Sequence, residues 1–73
     1  MKSGLLWYDA SANPIDRKIA DAVKRYQEKF GTIPNTCFVN EKDFKPETAL
    51  PHLRIAARQT ILPNHVWVGI SEK

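Results

Sequence analysis

The chain has 73 residues, with 11 Lys and Arg against 8 Asp and Glu, and a formal charge of +3. That is one domain, at a size where a single core supplies little net stability and association with a second molecule helps. A hydrophobic share of 42% with 26% charged residues excludes wholesale disorder, and the single cysteine, Cys37, excludes a disulfide framework or a zinc-spaced cluster.

Residues 5–9 (L-L-W-Y-D) form a short apolar and aromatic run bounded by turn residues, which predicts a strand. From Asn13 to Gly31 the sequence reads as a helix with both ends marked. Asn13 is the expected N-cap and Pro14 the first helical residue. Asp16 sits near the positive end of the dipole, and Gly31 supplies the left-handed stop. Ile15, Ile19, Ala22, Val23, Tyr26 and Phe30 share one arc roughly 100° wide, so the helix packs by one face.

Residues 36–40 (T-C-F-V-N) predict a second strand, giving a βαβ unit with two parallel strands in one sheet. Whether those strands are neighbours or leave a slot between them is open at this level. Residues 41–51 are polar and proline-punctuated, a loop with a helical turn near residues 41–44. Residues 53–61 alternate as a strand, although Leu53, Ala57 and Ile61 also share a helical face. Pro63-Asn64 is a turn, and residues 65–70 (H-V-W-V-G-I) are a strand. The expected fold is therefore a small single α/β domain: a βαβ unit followed by a β-hairpin, with one long amphipathic helix packed on one face of a mixed sheet. A tight two-residue hairpin would put Arg58, Thr60, His65 and Trp67 on one side. Pro63 cannot take the positive φ that such a turn needs, so the face of Trp67 stays open.

Both sides of the first two strands are apolar, and one helix covers only one of them. The uncovered side, with Leu6, Tyr8 and Phe38, or the opposite set if the helix takes those, is the expected interaction surface. The leading functional expectation is a non-catalytic protein-interaction or homo-oligomerisation module. Its partner is a second copy or another protein, with the loop at residues 41–51 as the alternative cover. A nucleic-acid-binding module is the alternative function, using Arg54, Arg58, His65 and Trp67 as a sheet surface. Lys18, Arg25 and Lys29 add a helix stripe that Asp21 and Glu28 interrupt, with Asp21 placed to pair with Arg25. Arg58 stacking on Trp67 is the structural account of that pair.

Asp9, with Glu41 and Asp43 beyond the second strand, marks the carboxyl edge of the parallel strands, where oxygen ligands could hold a divalent metal. The strand ending in Tyr8-Asp9, the short polar turn and the amphipathic helix resemble the opening of the CRISPR-associated small ferredoxin-like nuclease family. Its members are dimers with an aspartate at the end of the first strand. The resemblance implies a metal-dependent nuclease around Asp9, covers about the first forty residues and departs where that family continues into a second helix. His52 and His65 sit beside turns without a second ligand at diagnostic spacing. Cys37 is expected as a buried thiol, and no glycine-rich phosphate loop is present. Apart from that metal alternative, no catalytic residue or cofactor is expected. No apolar stretch approaches a membrane span or a signal peptide, so a cytoplasmic protein with no membrane partner is expected.

Overall fold

A computed structural model describes residues 4–48, 50 and 52–71. Five elements follow one another along the chain: β1 (Gly4–Tyr8), α1 (Ile15–Phe30), β2 (Thr36–Val39), β3 (Arg54–Ala57) and β4 (His65–Gly69). Helix α1 forms where the apolar spacing places it. Ile15, Ile19, Ala22 and Tyr26 are buried, Val23 is half-buried, and Phe30 emerges at the end against the Tyr26 ring, with centroids 4.6 Å apart. Gly31 ends the helix at φ 73°, its N–H donating to the Gln27 carbonyl at 2.8 Å.

The start of the helix differs from the expectation by one residue. Pro14, not Asn13, is the cap: its ψ is extended at 159°, and its carbonyl accepts from Arg17 and Lys18 at 3.1 and 3.2 Å. No side chain caps this end. Asn13 belongs instead to the preceding turn, its N–H donating to Ser11 Oγ at 3.3 Å, one step after the Ser11 N–H donates to Asp9 Oδ1 at 2.8 Å.

The four strands form one mixed sheet in the order β1-β4-β2-β3. β4 runs antiparallel to both β1 and β2, and β3 runs parallel to β2. The βαβ unit is thus present in split form, with β4 filling the slot between its two parallel strands. The expected hairpin of the last two strands is corrected here, because β2 separates β3 from β4. Residues 58–64 carry the chain across the end of β2, and the Asn40 side-chain amide donates to the Ile61 carbonyl at 2.7 Å to hold that crossing. Asn64, at φ 66°, supplies the reversal that Pro63 cannot. The ambiguity over residues 53–62 also resolves: Arg54–Ala57 is strand, and the chain leaves strand geometry before Ile61.

Side chains alternate across the sheet. From the register, Leu5, Trp7, Cys37, Val39, Ile55, Ala57, Val66 and Val68 share the face toward α1. Cys37, Val39, Val66 and Val68 are among the most buried residues. The helix packs over β1 and β4. The connection from β2 to β3 makes the expected single turn, with Asp43 and Phe44 N–H groups donating to the Asn40 carbonyl at 3.0 and 3.1 Å. Phe44, Leu50 and Leu53 then pack on the same core. Both covering layers therefore lie on one side, and the loop expected as a cover for the second face joins the helix instead.

Full burial of an aliphatic side chain such as Ile19 is worth about 1.5–3 kcal/mol. Ile19→Ala is expected to cost about 2–5 kcal/mol, the transfer loss plus the cavity left under the helix. Urea denaturation followed by far-UV circular dichroism measures it, and Leu62→Ala, at an exposed position, serves as the near-neutral control.

Candidate functional site

The face away from α1 carries Gly4, Leu6 and Tyr8 from β1, His65, Trp67 and Gly69 from β4, Thr36 and Phe38 from β2, and Arg54 and Ala56 from β3. Leu6, Trp67, Phe38 and Ala56 form one row across all four strands, because Leu6 pairs with Trp67, Trp67 with Phe38, and Phe38 with Ala56. The next row begins with Tyr8 opposite His65. No Asp or Glu occupies any of these strand positions.

The aromatic groups lie against one another. The Phe38 and Trp67 rings stack at 5.3 Å between centroids and 18° between planes. The Tyr8 and His65 rings meet at 4.8 Å and a tilt of 48°. The His65 Nδ1 lies 2.9 Å from the Pro63 carbonyl, which can only accept, so this nitrogen carries the proton and fixes the ring. The Arg58 guanidinium sits 4.5 Å from the Phe38 centroid, close enough for a cation–π contact, and donates to the Ala57 carbonyl at 3.0 Å. The ring beneath Arg58 is therefore Phe38, not the expected Trp67. Tyr8 and Leu6 remain 61% and 57% exposed, so the platform has an open top.

Gly4 is a part of this site that sequence reasoning missed. The Trp67 indole lies over it, and a Cβ there would overlap indole atoms Cζ2, Cε2 and Nε1. The absence of a side chain on β1 makes the space in which Trp67 settles against Phe38. A glycine at the start of an apolar strand was the available signal, but its meaning requires knowing which strand lies beside it.

The two candidate surfaces, Leu6, Tyr8 and Phe38 on one account and Arg54, Arg58, His65 and Trp67 on the other, converge. The six strand residues among them share one face, with Arg58 reaching over Phe38 from just beyond β3. The candidate metal residues do not gather in the same way. Asp9 turns its carboxylate back to Ser11, whose hydroxyl and then backbone N–H hold its pKa below the ordinary value, with the Lys18 charge adding a smaller contribution. Asp43 Oδ2 accepts from the Asn64 N–H at 2.8 Å, and Glu41 is exposed. Among the described residues no group of three or more His, Cys, Asp or Glu side chains is placed to hold a metal ion.

The basic helix stripe is broken because Lys18 is buried. Arg25 lies 3.5 Å from Glu28 rather than against the expected Asp21; at this exposure the pair is worth little. Cys37 is fully buried, and desolvation pushes its thiol from 9.0 up to about 12. Among the described residues no helix is long and apolar enough to cross a membrane. In comparisons with known proteins, no family model, no curated protein and no solved structure matches this chain.

Gly4→Ala is expected to expel Trp67 from its place beside Phe38, seen as a red shift in tryptophan emission and a changed near-UV circular dichroism signal with the helical signal retained. Cys37 is expected to resist iodoacetamide at pH 8 until the chain is denatured. The folded state keeps the thiol proton to higher pH than the unfolded state, so this contribution to stability is complete below pH 9.0 and is lost as pH rises toward about 12. Denaturation midpoints across that window, with Cys37→Ala as the reference lacking the slope, check the sign.

Proposed function

We propose that this chain is a non-catalytic binding module whose open sheet face takes single-stranded nucleic acid. The observation that carries the reading is the composition of one face: aromatic rings from three strands, arginines at one side and no carboxylate at a strand position. Bases offer two flat faces to any aromatic ring, and a backbone phosphate sits within reach of a guanidinium when its base is stacked nearby. Tyr8, the exposed ring, is the stacking position, next to the packed Phe38–Trp67 pair, with Arg54 and Arg58 on the side where phosphates would run. The modest charge of +3 fits a ligand held by stacking with a few phosphate contacts rather than by a broad basic field. A fully paired duplex hides its base faces, so single strands are the preferred form.

The exposed Leu6 and Tyr8 favour a second reading, in which this face contacts protein or another copy of the chain, as first expected from the apolar pattern. The two separate on salt. Fluorescence anisotropy with short labelled oligo-dT and oligo-U is expected to show binding that weakens as salt rises between about 50 and 200 mM. Tyr8→Ala, at an exposed site, is expected to weaken it about 5- to 150-fold, the worth of one stacked base. Arg58→Ala is expected to reduce the logarithmic salt slope by about 0.7, one single-strand phosphate contact. Absence of binding to either oligonucleotide at the lowest salt would overturn the nucleic-acid reading in favour of protein contact.

A further inference from the structure

We propose that β1 is a self-pairing edge, at which two copies of this chain join their sheets about a two-fold axis. Among the described residues β1 is paired on one side only, by β4. The Asp9 N–H donates to the Asn64 carbonyl at 2.9 Å, so by strand alternation residues 5, 7 and 9 direct their backbone groups at β4. Gly4, Leu6 and Tyr8 therefore direct theirs outward. An antiparallel copy centred on Leu6 sets Leu6 opposite Leu6 and Gly4 opposite Tyr8, and every outward N–H and C=O of the strand meets its complement.

Nothing in β1 guards against this pairing. The strand G-L-L-W-Y has no charge, no proline and no bulge, the devices by which exposed edges avoid one another. The opposite edge is different: β3 begins with Arg54, is followed by Arg58 and is one residue shorter than β1. The helix layer fits the same axis. α1 packs over β1 and β4, so the two-fold sets the two helices antiparallel on the same side of the joined sheet. The helix flank beside β1 carries Asp21, Lys24, Arg25, Glu28 and Lys29, a mixture of both signs whose acidic groups can answer basic ones across an antiparallel seam. Trp7 lines the same recess on the sheet side.

The pairing also extends the open face. It carries the second copy's Tyr8 beside Gly4 and the Trp67 indole, and the two four-stranded sheets become one continuous surface. That this surface is a longer track for a single strand rests on the nucleic-acid reading; the pairing itself does not.

Size-exclusion chromatography with light scattering and amide hydrogen exchange by NMR test the proposal on the unaltered chain. The expected result is a species of twice the 8.3 kDa chain mass in which the Leu6 and Tyr8 amides are protected as well as those of Leu5 and Trp7. Leu6→Pro removes an outward N–H and leaves the β4 ladder intact, and is expected to give a monomer with the helical circular dichroism signal retained. A monomer at all concentrations overturns the proposal, and so does a dimer whose Leu6 and Tyr8 amides exchange freely, since its contact then lies elsewhere. If Leu6→Pro does not fold, the exchange pattern of the unaltered chain decides alone. Oligonucleotide anisotropy on the same samples is read independently, so the failure of edge pairing and of nucleic-acid binding remain distinct.

Discussion

Every other feature of this structure depends on the insertion of β4 between β1 and β2. Val66 and Val68 are almost wholly enclosed, and a strand so apolar is best placed where both of its edges are hydrogen-bonded and α1 lies on its face. A position at the sheet margin beside β3 would have left one row of its backbone groups open and its valines beyond the reach of the helix. The connection needed to reach the centre is short, and the side chain of Asn40 pins it by bonding the Ile61 carbonyl. A loop residue thereby secures the most buried strand of the core.

The same insertion decides what the open face contains. With β4 central, Trp67 falls between Leu6 and Phe38, and Gly4 leaves room for its indole. The apolar and aromatic residues of β1 and β2 and the aromatic and basic residues of β3 and β4 become one surface. Because α1 and the connection carrying Phe44, Leu50 and Leu53 both lie on the other side, no element among the described residues lies over this face. The rings gain from packing on one another, yet Leu6 and Tyr8 keep most of their surface in water. The domain thus bears this cost on one face, with an edge strand free of charge and proline beside it.

The carboxyl edge of the sheet has a more local task. The Asp9 N–H and the Asn64 carbonyl are bonded, the Asn64 N–H is bonded to Asp43, and Asp9 in turn holds Ser11. These polar groups stitch three loops together at one end of the domain. They satisfy backbone donors and acceptors that would otherwise be stranded where strands stop, which is the ordinary demand of a chain with short elements and little core to spare.

Local periodicity in the sequence determined the long helix, its buried stripe, its glycine stop, the apolar alternation of the strands and the existence of a face that one helix could not cover. These are properties of neighbouring residues, set by side-chain direction within one turn or one pleat. The helix cap was misplaced by one residue because Asn13 is claimed by a turn that begins at Asp9. The pairing of β4, the side taken by Phe44 and Leu50 and the convergence of the two candidate surfaces were decided only by the tertiary structure. Strand order is a competition among non-local pairings, and adjacency in the chain favours a hairpin that Pro63 and two buried valines override. Trp67 could be assigned to an alternating pattern from sequence, but its neighbours, and with them the character of the open face, exist only once β4 has entered the sheet.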